Sequence, residues 1–127
     1  MKRFYGILAC VVWSLLMCTL HAGTPENCKV LVLTERGGQH GEFTDAALKW
    51  LDGFAVTEVH NTELIDREFL AQYKVFVQLD YPPYNWTDKA KAAFEQAIFD
   101  GTVGWVGFHH AALLGDFDGF PMWHWFS

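Results

Sequence analysis

Beyond residue 22 the chain carries one cysteine, Cys28. A single thiol excludes an internal disulfide and a cysteine-built zinc cluster. Its place just before an apolar run suits a buried, inert side chain. Basic charge is also scarce. Nine Lys and Arg stand against fifteen Asp and Glu, and setting aside Lys2 and Arg3 with the leader described below leaves 7 − 15 = −8. Such a balance repels polyanions, so neither nucleic acid nor an anionic membrane surface is an expected partner. The glycine-rich segment 35–42 (ERGGQHGE) lacks both the Gly-Lys-Ser/Thr ending of a phosphate loop and the G-x-G-x-x-G spacing of a dinucleotide site. Internal repeats and low-complexity tracts are absent as well.

The one long uncharged run lies at the amino end. Lys2 and Arg3 precede apolar residues 4–20, then small Ala22 and polar residues 23–27 (GTPEN). This is the pattern of a secretory signal peptide over residues 1–22, which predicts an exported chain, periplasmic or extracellular, over residues 23–127. A membrane anchor is the alternative, since the run approaches the ~18 residues that begin to suggest a span. The polar residues that follow at once favour cleavage. Met17 before Cys18 is bulkier than the small residue a lipoprotein site needs.

The mature part suffices for one small core. Its carboxyl end crowds Phe117, Phe120, Met122, Trp123, Trp125 and Phe126 together, and these need a covering surface. That surface is the chain's own sheet, a second copy through self-association, or the remainder of a larger domain. The last is preferred, with the domain cut after its fourth strand.

Between these ends, apolar runs alternate with amphipathic segments. Lys29–Thr34 reads as a strand buried on both faces. Thr44 is placed to cap a helix ending at Gly53, with Ala47, Leu48 and Leu51 inward. Residues 54–59 alternate as a half-buried or edge strand does, and 61–73 offer one short helix with Ile65, Phe69 and Leu70 inward. Val75–Leu79 is a third strand. Thr87 opens the clearest helix, with Ala90, Phe94, Ala97 and Ile98 in one stripe and Gly101 as terminator. Val103–Phe108 is a fourth strand. This order predicts an α/β fold, a parallel sheet with right-handed crossovers and helices on both faces.

In a parallel sheet all strands end at one rim. Glu35 and His40 follow the first strand, Asp80 the third, and His109 and His110 the fourth. The stretch 104–111 (GWVGFHHA) is the most informative, because an apolar strand stops abruptly at two histidines and a small residue, as a strand-to-helix turn at a ligand crevice does. Glu35, His40, Asp80 and His109 are therefore the candidate catalytic residues, a mixture suited to proton transfer near neutral pH. His40 and His109 are also candidate ligands for a divalent metal such as zinc. The turn is expected to send adjacent His109 and His110 apart, so His109 alone is assigned. Tyr84 and Trp86, on the aromatic loop 81–86, are candidate sugar-stacking residues, whereas Trp105 reads as core. Asn85-Trp-Thr87 matches a glycosylation acceptor, which the helix-capping role of Thr87 explains without glycan.

These residues resemble the ThuA-like, or trehalose-utilisation, family. The resemblance rests on residues 30–34 with His40 in the next loop, on the strand led by Leu70 and Tyr73, and above all on residues 101–111 (GTVGWVGFHHA). It runs from about Lys29 to the end of the chain. It implies a class I glutamine-amidotransferase-like, flavodoxin-type three-layer sandwich, with His109 where an amidotransferase has its cysteine, so that activity is excluded. It also implies a carbohydrate substrate related to trehalose, with hydrolysis of a glycoside or another modification of the sugar as the expected reaction. A non-catalytic sugar-binding module and an inactive fragment are the alternatives.

Overall fold

The structure, a computed structural model, describes residues 27–113. The expected leader at 1–22 and the aromatic residues of segment 117–126 fall outside the described residues. The elements are β1 (Lys29–Thr34), α1 (His40–Trp50), β2 (Ala55–Val59), α2 (Arg67–Leu70), β3 (Val75–Leu79), α3 (Asp88–Phe99) and β4 (Gly104–Phe108), with 3-10 turns at Pro83–Asn85 and His109–Ala112. All strand pairs are parallel and the sheet order is β2-β1-β3-β4. This is the α/β architecture that the alternating pattern predicts. Among the described residues, no helix is long and apolar enough to cross a membrane.

Period-2 alternation sorts the strands' side chains into two cores. Leu31, Leu33 and Phe76 point to one face, where they meet Leu70, Tyr73, Ala90, Phe94 and Ala97 from α2, α3 and the turn between α2 and β3. Val30, Val32, Val77 and Leu79 point to the other, against Ala47 and the flanking Leu48 of α1. One helical layer therefore covers each face of the sheet, and β1 and β3 are buried on both sides. Among the described residues β2 pairs only with β1, and its residues are mostly exposed, as suits an edge strand. From β1 the chain crosses to β2 on one side, then returns to β3 and β4 on the other. That reversal puts a topological switch point between β1 and β3.

Two boundaries depart from expectation. α1 starts at His40, four residues before the expected cap Thr44, which lies inside the helix and is buried. The cause is the Gly37–Gly38 turn: Gly38 takes φ +59°, and the His40 N–H bonds the Gly37 carbonyl at 3.2 Å, so winding begins early. The segment 61–73 contracts to the four residues of α2, where Asp66 caps by accepting the Phe69 N–H at 2.9 Å. Thr87 does cap α3. Its Oγ1 accepts the Ala90 N–H at 3.2 Å and donates to the Thr62 carbonyl at 3.4 Å.

Arg36 ties the loop after β1 to both neighbours. Its Nε and Nη2 grip Glu58 of β2 at 2.7 and 3.0 Å, and Nη1 meets Asp45 of α1 at 2.7 Å. Thr34 Oγ1 donates a further bond to Glu58 at 2.9 Å. The Arg36 contact, ahead of the Thr34 bond, holds the Glu58 carboxyl below its ordinary range.

Two predictions follow from this packing. Phe94 is fully buried, with ring centroids 5.6, 5.4 and 5.8 Å from Phe76, Trp86 and Trp105. Phe94→Ala should destabilise the chain by about 3–5 kcal/mol in urea unfolding. A loss under about 1 kcal/mol would contradict the described core. Because the folded-state pKa of Glu58 is depressed, its contribution is present above the unfolded value of 4.5 and fades as pH falls through the folded one. Thermal melts of the parent and Glu58→Gln should differ at neutral pH and converge below pH 4.5. A constant gap would show that ionisation of Glu58 is not the source.

Candidate functional site

Strand register builds the site. Thr34 pairs with Leu79, and Leu79 with Phe108. Glu35, Asp80 and His109 are therefore the first residues beyond the ends of three adjacent strands. The ladder continues one step past the strands: the Glu35 N–H bonds the Leu79 carbonyl at 3.2 Å, and the Asp80 N–H bonds the Phe108 carbonyl at 3.3 Å. A slip of one residue would turn these side chains to the opposite face.

Asp80 and His109 are the two non-glycine residues with positive φ among those described, at 59° and 53°. This left-handed conformation costs about 1–3 kcal/mol for a residue with a Cβ, and it concentrates at functional sites. Here it turns the two side chains towards each other. His109 Nδ1 lies 2.7 Å from Asp80 Oδ1, with Asp80 2% exposed and the His109 side chain 60% exposed. An ionised carboxylate only accepts, so this bond places a proton on Nδ1, and in the neutral ring Nε2 then keeps its lone pair.

His40, the first residue of α1, reaches the same rim. Its Nδ1 is 3.3 Å from Glu35 Oε2, although the atom is buried and makes no aligned hydrogen bond. His110, left unassigned by the sequence reading, belongs to the group. Its ring stacks on that of His109 at 3.9 Å and 24°, rather than pointing away, and its Nδ1 is 3.8 Å from Glu35 Oε2. The reason is the 3-10 turn that opens at His109 (φ 53°), which keeps the neighbouring side chains together. The doubled histidine was the visible sign, but the turn was expected to send the two side chains apart. His40 stands edge-on to both rings, at 5.5 Å from His109 and 4.9 Å from His110. One nitrogen from each of the three imidazoles falls within 4.8 Å of the others.

The stacking residues fare differently. Trp86 is 4% exposed and packs against Phe76 and Phe94, so its face is not free for a sugar. The 3-10 turn at Pro83–Asn85 explains this, because it folds the loop back onto the core. Tyr84 is outside the residues whose side chains are described. Trp105 is core-facing, as expected. Its Nε1 donates to Gln78 Oε1 at 3.3 Å, and Gln78 Nε2 donates in turn to the Tyr81 carbonyl. The Tyr81 phenol, near the rim, is raised by burial first and by the Glu35 charge second, so it stays protonated.

Comparison with known proteins agrees with this fold. The family model described as ThuA, trehalose utilisation, matches residues 29–127. No curated protein matches the chain. A crystal structure from Bacteroides uniformis ATCC 8492, described as that of a ThuA-like protein, is similar with a TM-score of 0.62 and 31% identity. The match covers 84% of this chain and 44% of that one, so the chain spans less than half of the neighbour's length. With the family model matched across the whole sheet and its rim, the chain belongs to the ThuA (trehalose utilisation) family.

Proposed function

We propose that this chain forms the reacting centre of an exported carbohydrate-active enzyme that hydrolyses or otherwise modifies trehalose-type disaccharides. Export rests on the basic, then apolar, pattern of residues 1–22. The substrate class rests on family membership. The observation that carries an enzymatic reading is the 2.7 Å Asp80–His109 bond between two left-handed residues at the switch-point rim. Strain kept at such a rim is a feature that clusters at functional sites.

In this reading His109 Nε2 is the working atom, presented to the reacting group as an electron-pair donor. Asp80 is a positioning residue: its carboxylate selects the tautomer and fixes the ring plane. Glu35 lies near the Nδ1 atoms of His40 and His110, at 3.3 and 3.8 Å, without an aligned hydrogen bond to either. Both carboxylates therefore lie beside imidazoles, and Asp80 is too buried to act as a second carboxylate on a glycosidic bond. The burial of Trp86 removes one of the two aromatic faces on which a purely sugar-binding module would depend.

The test is turnover of trehalose-like and oxidised disaccharides by the full chain. His109→Gly relieves the strain of φ 53° but leaves the buried Asp80 carboxylate without its imidazole partner, so thermal melts accompany the assay. The substitution should cut kcat by about 100-fold or more. Asp80→Asn should lower kcat while leaving KM nearly unchanged, since Asp80 touches the imidazole rather than the sugar. Unchanged turnover in His109→Gly would overturn the reading.

A further inference from the structure

We propose that His40, His109 and His110 form a three-imidazole centre for a divalent zinc-class cation, with Glu35 and Asp80 as its outer carboxylates. The inference deepens the carbohydrate reading and rests on the same rim, but it assigns the site a metal and a third ligand.

The donor set is the first argument. Three imidazole nitrogens within 4.8 Å of one another come from two separate loops, the one after β1 and the one after β4. Neutral imidazole is the ligand that suits zinc and its neighbours, and three protein ligands with an open fourth position describe a catalytic rather than a structural zinc site. Ligands about 2.0–2.1 Å from a tetrahedral ion sit about 3.3 Å apart, so the rings would draw together by up to about 1.5 Å to hold one.

The outer shell is the second argument. Metal-bound histidines nearly always give their other ring nitrogen to a carboxylate or carbonyl, which sets the tautomer. Each of these three rings turns Nδ1 towards a carboxylate: His109 to Asp80 at 2.7 Å, and His40 and His110 to Glu35 at 3.3 and 3.8 Å. An ion held by Nε2 atoms would leave these Nδ1 contacts in place. Two outer carboxylates also balance the charge of a divalent cation over neutral ligands.

Unpartnered buried atoms are the third and independent argument. His40 Nδ1 and Asp80 Oδ2 are both buried without a hydrogen-bond partner, and both lie in this cluster. Orphaned buried polar atoms are costly. An ion that drew His40 inward would reorient its ring and let Nδ1–H align on Glu35. The same attraction between cation and carboxylate would compensate Asp80 through His109.

Cobalt(II), a spectroscopic stand-in for zinc, gives the direct test on the chelator-treated full chain. Titration should raise visible d–d bands that saturate at one equivalent and vanish when zinc is added. His110→Ala and His40→Gln should each weaken cobalt binding more than about tenfold, whereas His60→Ala, a histidine outside the cluster, should bind as the parent does. Far-UV circular dichroism of each variant separates lost ligation from lost folding. No cobalt spectrum in the folded parent, or unchanged affinity in both folded variants, would overturn the metal centre. Disaccharide turnover that persists in metal-free protein would overturn the metal inference and leave the carbohydrate reading standing. Saturable cobalt binding without turnover of any disaccharide would do the reverse.

Discussion

The bond from His109 to Asp80 is the constraint around which this rim is organised. It joins the first residue after β4 to the first residue after β3, and each must adopt a left-handed backbone to make it. Neither conformation is favourable for a side chain with a Cβ. A charge-assisted hydrogen bond to a buried carboxylate offsets that cost, and it is among the stronger polar interactions available to a protein. The pair in turn orients the ring on which His110 stacks and which His40 meets edge-on.

The rest of the fold supplies the register that lets this bond form. Leu79 opposite Phe108 sets Asp80 beside His109, and the buried rows on β1 and β3 fix which face each residue takes. Behind the rim, Trp105 lies flat across β4 and bonds Gln78, which in turn holds the loop after β3 through the Tyr81 carbonyl. Gly107 makes that possible. A Cβ there would stand 2.5 Å from the Trp105 ring, so the strand needs a glycine at this point. On the other side, Arg36 fastens the loop that carries Glu35 and His40 to β2 and α1. The histidines are thus held by a sheet, two anchored loops and one aromatic brace.

Much of this was legible in the sequence because period and composition speak for buried strands. The runs at 29–34 and 75–79 are nearly continuous apolar stretches, with Gln78 the one polar residue in the interior of either, and a parallel strand buried on both sides is the state that tolerates this. Asp80, His109, Glu35 and His40 were legible for a simpler reason: in a parallel sheet, position after a strand is enough to assign the rim. What remained hidden was local conformation. The early start of α1 depends on Gly38 at positive φ, and the stacked histidines depend on a left-handed His109; hydrophobic pattern reports neither. Trp86 was misread because an aromatic loop with two prolines looks exposed until its 3-10 turn is seen to fold the indole against Phe94.

The account rests on His109 holding its proton on Nδ1, towards Asp80, and offering Nε2 to the crevice. Long-range proton–nitrogen correlation NMR of the imidazole ring reads that tautomer directly in the intact, metal-free chain. The account predicts that neutral His109 is the Nδ1–H form, and that Asp80→Ala shifts the ring towards the Nε2–H form that an unconstrained imidazole favours. A neutral His109 already in the Nε2–H form, unaffected by Asp80→Ala, would contradict it.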